Sequence, residues 1–469
     1  MKRLAAVVLG SMLSVLVAGC GYHAVTGVNP PGMVPEIKVS AYDNFRDLRK
    51  AEKHPGLIVG AAVVDLTPVR ETGVWVAGYM PNKRSTGIHT PITGRVLYLD
   101  NGQNAVAIVS LDYVGLMRTD IDAVRARLTR KYGTEVVMMS IHNHAGPDVM
   151  GMWGRAIFYM IPVENGRDEG YMQRAHRSLA EGILQAQRTA VPAQLTVATA
   201  EGPAGYCDNW HRPGVWDSDV TALMAQDMKG APISTLINWN CHAEFLGAAN
   251  SEISADFPYY VYERVEQSGG GVAVYTNGAL GGLVTAIIDF ERKNLPVPFR
   301  KKVAKSAGYA VADAAMDALV SKGERITSTE LNHHFGEVDI AVNNWRFLRM
   351  VTEGIFHRPV YTHNNDGKTY LRTELHAINI GPLAMGTVPG EFFPSLGFGM
   401  KRQLMGAKHN MLFGLGGDEL GYIMLPQEFD DELYNYEITV SMGRETGVVL
   451  WKSLSKLWGK PGLSLPPVP

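Results

Sequence analysis

Three absences narrow the reading before any motif is considered. Cysteine occurs only 3 times in 469 residues, too few for a disulfide scaffold. Neither sign of charge prevails: 44 Lys and Arg against 46 Asp and Glu give a formal net charge of -2. That balance excludes the basic surface expected of a nucleic-acid partner. The sequence also has no internal repeat, no heptad run and no low-complexity tract. With 46% hydrophobic and 19% charged residues, it reads as an ordinary globular chain, and neither disorder nor coiled coil describes it as a whole.

One apolar run stands apart, at the amino end. Lys2-Arg3 precedes an apolar stretch from Leu4 to Val17, and Leu16-Val17-Ala18-Gly19-Cys20 follows as a small-residue cleavage site ending in cysteine. The run is short for a membrane span. The pattern resembles a bacterial lipoprotein signal, which implies a signal peptide over 1–19, removal before Cys20 and acylation of its thiol. It also implies localisation to the bacterial cell envelope by a lipid anchor, at the outer membrane or periplasmic face. Residues 20–56, rich in Gly, Pro and charge, read as a tether. The remaining cysteines, Cys207 and Cys241, are open to two readings: a disulfide, or two buried thiols.

The folded body is expected over 57–458, with a Pro-rich tail at 459–469. Leu57 to Leu66 is β-rich, and Arg95–Leu99 and Ala105–Leu111 flank the turn Asp100-Asn101-Gly102 as a hairpin. A helix is expected from Asp120, carrying Ile121, Val124, Leu128 and Tyr132 on one face and stopping at Gly133. Further helices are expected over 169–190 and 301–320. Strands are expected over 194–199, 221–225, 233–239, 272–276, 331–342 and 371–386. Strand and helix alternate, so the class is α/β, with mixed sheets and flanking helices.

Chemistry-bearing residues gather where strands end. Val136 to Ser140 runs into Ile141-His142-Asn143-His144 and breaks at Gly146-Pro147. Side chains alternate along a strand, so His142 and His144 are expected to point the same way. His242 follows another strand, Glu391 sits on the turn Val388-Pro389-Gly390, and Tyr422 follows a glycine turn. Two imidazoles and a carboxylate suffice for a catalytic zinc site with a position left for water. Such a metal lowers the pKa of its water so that hydroxide attacks a carbonyl. On the residues alone, Tyr422 is either a ligand or a hydrogen-bond donor to substrate. The loop Gly205 to Pro213 crowds Trp210, His211 and Arg212 together, as a binding rim does or as an Arg stacked on Trp for structure would. Phe392-Phe393 and Met150-Gly151-Met152-Trp153 are candidates for an acyl pocket or for plain core.

These segments resemble the neutral ceramidases. His142-Asn143-His144-Ala145-Gly146-Pro147 is similar to their His-Thr-His-Ser-Gly-Pro, and Val388-Pro389-Gly390-Glu391-Phe392 to their Val-Pro-x-Glu-Phe. Asn240-Cys241-His242-Ala243 and Ile253-Ser254-Ala255-Asp256 fall where that family has an x-His strand end and Ile-Ser-x-Asp. Gly414 to Tyr422 follows Gly-Leu-x-Asn-x-Tyr-x-x-Tyr, with Tyr436-Glu437 after it. The resemblance runs from about Leu57 to Trp451. It implies zinc held by His142, His242, Glu391 and Tyr422, with His144, Arg212 and Tyr422 as catalytic groups. Asp256 is implied to fix a loop or to orient a ligand histidine from behind, and Asp418 and Glu419 are implied to do likewise or to be solvated turn acids. Two departures bear on the substrate. Leu280-Gly281-Gly282-Leu283-Val284-Thr285 replaces the family's Gly-Asp-Val-Ser-Pro-Asn, leaving Thr285 as a shifted hydroxyl, and no C-terminal immunoglobulin-like domain is expected. The implied activity is zinc-dependent hydrolysis of an amide or ester in an N-acyl lipid such as ceramide. Hydrolysis of a small polar amide or ester is the alternative, as is a degenerate lipoprotein that binds a ligand or partner.

Overall fold

The computed structural model describes residues 56–128, 134–158, 161–285, 293–363 and 366–468. The expected signal peptide, Cys20 and the tether up to residue 55 lie outside the described residues. Among the described residues no helix is long and apolar enough to cross a membrane.

Two sheets dominate. The larger has nine strands, running in space Val272–Thr276, Pro232–Asn238, Asp219–Asp227, Val191–Glu201, Ile58–Asp65, Thr93–Asp100, Ala105–Leu111 and Glu135–Ser140. Glu324–Ile326 pairs beside Val191–Glu201. Neighbours are antiparallel except at the two ends of the sheet, where Ala105–Leu111 with Glu135–Ser140 and Pro232–Asn238 with Val272–Thr276 are parallel. The smaller sheet has five strands, with the path Leu331–Ala341, Thr369–Ile380, Leu383–Val388, His409–Gly414 and a short strand, Tyr361–Thr362, beside Thr369–Ile380. Sequence reading took 371–386 as one strand. The chain instead reverses at Gly381-Pro382, where Gly381 adopts φ 54°, and Leu383 pairs back on Ile380. Apolar residues on both sides, Ile378 and Ile380 before and Leu383 and Met385 after, hid the turn, although glycine followed by proline is a turn signal.

The sheets face each other across a shared apolar layer. Val59, Leu97, Leu99, Ile108 and Val137 of the larger sheet meet Ile378, Ile380, Met385 and Phe413 of the smaller. The alternate residues of the same strands, such as Val64, Val96 and Val109, point to the opposite face. Both faces are therefore covered, which is why these strands read as almost unbroken apolar runs. Each such fully buried side chain stabilises the fold by about 1.5–3 kcal/mol. The outer layers are helical. Glu169–Arg188, capped by Asp168, packs on Ile58–Asp65, while Phe257–Gln267 and Val297–Lys322 pack together over the other half of the sheet. Thr446–Leu457 covers the smaller sheet. The helix expected from Asp120 spans Arg118–Arg125. Leu128 lies beyond its end, and Tyr132 and Gly133 fall outside the described residues. The order is α/β/β/α, a mixed α/β architecture.

Candidate metal centre

The site forms where two strand ends of the larger sheet run side by side. Beyond Ser140 the chain leaves regular strand geometry, with His142 at φ 59°, a conformation uncommon for a non-glycine residue and a marker of functional constraint. Asn143 then forms a bridge with Ala243, and the His144 amide donates to the Ala243 carbonyl at 3.0 Å. The strand stops at Ser140, so His142 and His144 join one cluster through the bridge to Ala243 rather than through strand alternation. His142, His144 and His242 have ring centroids 4.7 to 5.5 Å apart. One nitrogen of each lies within 4.8 Å of the others, a group that could hold a metal ion.

The smaller sheet delivers the carboxylate. Val388 ends a strand, Gly390 turns at φ 155°, and Glu391-Phe392 pairs in parallel with Tyr422-Ile423. A Cβ at Gly390 would approach the Gly421 carbonyl oxygen to 2.5 Å, so only glycine lets the two turns close on one another. Glu391 Oε2 lies 3.2 Å from His142 Nε2 and 3.1 Å from His242 Nε2. His142 Nδ1 lies 2.7 Å from the Val114 carbonyl oxygen, the partner that orients a ligand histidine and leaves Nε2 facing inward. His144 Nδ1 is 3.9 Å from Glu244 Oε2, and Tyr79 packs edge-on against its ring. The Glu244 carboxylate also accepts from the Thr285 amide at 3.3 Å, which places the shifted hydroxyl residue next to the cluster.

The electrostatics follow from burial and these neighbours. Burial disfavours imidazolium at His142, but the Glu391 carboxylate outweighs it and raises the pKa to about 9. Burial also opposes charge on Glu391, and His142 and His242 overcome it, holding the carboxyl well below its usual range. Burial, with His142 and His242 beside it, pushes His144 well below the usual value. Burial and Glu391 push the Tyr422 phenol well up. A field that would protonate His142 is one that also welcomes a cation. Both ring nitrogens of His144 and Nδ1 of His242 are buried and make no hydrogen bond. Unpaired buried polar atoms are costly, and three imidazoles converging with a carboxylate are the donor set of a transition-metal ion. The residues fit a metal.

A cavity of about 440 Å³ opens from this cluster. His142, His144, Glu391, Glu419 and Tyr422 form its polar end, and Met150, Met152, Trp153, Phe347, Met350 and Phe356 are among its apolar walls. Of the two segments considered for an acyl pocket, the Met150–Trp153 stretch lines this cavity, whereas Phe392 and Phe393 are packed in core clusters. Asp148 holds that wall in place by accepting from the amides of Met150, Gly151 and Trp153.

Other expected residues sit elsewhere. Arg212 does not line the cavity; it pairs with Asp431 at 3.4 Å. His211 bonds to Glu437, and Cys207–Asn209 pairs with Leu283–Thr285. Of the two roles implied for Asp256, it takes that of fixing a loop: its oxygens accept from the Phe257 amide at 2.7 Å and the Leu246 amide at 3.0 Å, capping one helix and holding the loop that carries Glu244. Asp418 accepts from the amides of Arg118 and Glu419 and pairs with Arg358. His144 belongs to the group that could hold a metal, although sequence reading set it beside the ion. Sequence reading named Glu419 only as a support behind the ligands, whereas that residue lines the cavity, and it missed Tyr79, Glu244 and the Trp345–Thr352 wall. That last helix carried a signal, the Asn344 cap before an amphipathic turn, where Asn344 Oδ1 accepts from the Arg346 amide. Cys207 and Cys241 form a disulfide, with Cα atoms 6.1 Å apart.

No protein-family model and no curated protein sequence matches the chain. Among solved structures, the neutral ceramidase from Pseudomonas aeruginosa is similar with a TM-score of 0.67 and 17% identity, over 88% of this chain and 76% of that one. A ceramidase complexed with C2 is similar with a TM-score of 0.69 and 17% identity, over 89% of this chain and 77% of that one. The fold is that of the neutral ceramidases.

Proposed function

We propose that the protein is a zinc-dependent hydrolase of an amide or ester bond in an N-acyl lipid, with ceramide as the leading substrate class. The observation that carries the reading is the convergence of His142, His144, His242 and Glu391 at the end of a largely apolar cavity. The ceramidase-like fold supports it. His142, His242 and Glu391 would hold the ion, with Tyr422 beside Glu391 completing the set. Imidazole and carboxylate donors suit zinc, which when bound supplies polarisation of an acyl carbonyl and a more acidic water.

The chain's own residues do the rest. His144, with both ring nitrogens unpartnered and Tyr79 and Glu244 around it, has an N–H to offer the oxygen that gains negative charge as the carbonyl is attacked. Val114 fixes the tautomer of His142. The Met150–Trp153 wall and Phe347 take the acyl chain and exclude water. Arg212 has no part in this reading. The lipoprotein-like amino end would tether the enzyme, through acylated Cys20, to the membrane of a bacterial envelope.

The test is elemental analysis of the purified protein beside turnover of a fluorogenic N-acyl panel. Wild type is expected to hold near-stoichiometric zinc and to cleave a long-chain member. His242→Ala and Glu391→Ala are expected to lose the metal and at least about 100-fold in kcat/KM, since removing a ligand costs several kcal/mol. Folded wild type that takes up no metal after zinc loading would overturn the reading. Metal-loaded protein that turns over only short polar amides would keep the hydrolase and reject the lipid.

A further inference from the structure

Glu419 is a second buried carboxyl at the polar end of the cavity, and nothing in the proposed chemistry uses it. It is only 7% exposed, and it lines the same space as His142 and Glu391. Its Oε1 accepts from the Gly421 amide at 2.8 Å, while its Oε2 is buried and has no hydrogen-bond partner. The backbone makes room for it: a Cβ at Gly115 would come within 2.8 Å of Glu419 Cγ. Against the Gly-Leu-x-Asn-x-Tyr-x-x-Tyr pattern that Gly414 to Tyr422 otherwise follows, Glu419 stands at the place of the first tyrosine. The residue is thus a feature of this chain rather than of the pattern.

The geometry points to Glu419 as a specificity-determining residue that reads the polar head of the substrate, its unpartnered oxygen engaging a hydroxyl group carried close to the scissile carbonyl. A buried carboxyl oxygen left without a donor is costly, and a ligand that supplies the donor recovers that cost. The place is buried, so a single polar contact there discriminates more strongly than it would in water. A hydroxyl is the donor that fits. An ammonium at this place would sit beside the cation that the neighbouring imidazoles and Glu391 would hold, and like charges at such range repel. The inference rests on the hydrolase reading for the word substrate, but its test does not need turnover.

Full-length, zinc-loaded protein is titrated with two uncleavable probes of equal size, N-dodecyl-N′-(2-hydroxyethyl)urea and N-dodecyl-N′-propylurea, by quenching of tryptophan fluorescence, since Trp153 lines the cavity. Wild type is expected to bind the hydroxyl probe about tenfold more tightly, the worth of one buried hydrogen bond. Glu419→Met is expected to lose that preference, and Glu419→Gln, which keeps a polar partner, to retain part of it. Equal affinity of wild type for the two probes overturns the inference without reference to any variant. So does a preference that survives in Glu419→Met, or loss of zinc from that variant, which would make Glu419 a ligand instead. A protein that discriminates the ureas yet cleaves no amide keeps this inference and sinks the hydrolase. An active enzyme blind to the hydroxyl sinks this inference alone.

Discussion

At the scale of single residues, Asp256 shows how a motif can leave two roles open and the fold choose between them. The Ile-Ser-x-Asp segment implied a group that fixes a loop or orients a ligand histidine, and the carboxylate takes the first role, capping a helix and tying down the loop after His242. Its backbone adopts φ 55°, and burial raises its pKa to about 7 from 3.8. The folded state therefore binds a proton that the unfolded state releases between pH 4 and 7. Stability is fully present below that window and falls as pH rises through it, by at most about 4 kcal/mol. Asp256→Asn loses one acceptor and is expected to be less stable at pH 5, yet its urea midpoint should change less between pH 5 and pH 8 than that of wild type. An equal change in both proteins would show that Asp256 does not titrate in this range. The histidines and Glu391 were legible for a plainer reason: they lie just past the ends of apolar strands, at buried or partly buried positions that have no structural use for an imidazole or a carboxylate. Tyr79 and Glu244 were not, because one aromatic and one acid on irregular segments carry no periodicity to mark them.

At the scale of elements, two links hold the site's supports together. The Cys207–Cys241 disulfide joins the Cys207–Asn209 strand to the residue before His242. Sequence could count the two cysteines but could not bring them together, since pairing depends on how the chain folds across their separation of 34 positions. Closing a loop of that length is worth about 3–4 kcal/mol by the chain-entropy estimate. Reduction, or Cys207→Ala with Cys241→Ala, is expected to lower the melting temperature and weaken zinc retention together. Unchanged retention would mean that the strand end holds His242 without the crosslink. The second link is Glu374, fully buried, with its carboxylate 2.7 and 2.8 Å from the Arg125 guanidinium, 3.2 Å from Arg118 and 3.0 Å from His376. It ties the Arg118–Arg125 helix to the Thr369–Ile380 strand. Burial opposes its charge, but Arg125 and Arg118 prevail and hold its pKa well below the usual value. Glu374→Gln leaves the arginines undercompensated, at a cost of about 3–5 kcal/mol, measurable by denaturant unfolding. A loss under about 1 kcal/mol would show that the pairing merely offsets its own desolvation.

At the scale of the whole molecule, the alternation of strand and helix was enough to place the class, and the unbroken apolar character of the strands agrees with sheets covered on both faces. What the sequence could not convey is that the two sheets meet at the site. His142, His144 and His242 follow strands of the nine-stranded sheet, whereas Glu391 and Tyr422 follow strands of the five-stranded one. An ion held by this set would therefore crosslink the two layers across about 250 residues of chain. Binding to the folded state alone stabilises by about 2.7 kcal/mol at a hundredfold excess of ion over Kd. In a chain of this size that is a rise of a few degrees in melting temperature. Chelation is expected to lower the wild-type midpoint by that amount and to broaden the transition as the sheets uncouple, and added zinc to restore it. His242→Ala, with only part of the donor set, is expected to start near the chelated wild type and to respond little to chelator. If chelation lowers zinc content but leaves the wild-type midpoint unmoved, the shared apolar layer alone sets how the sheets meet, and the ion serves chemistry without serving the fold.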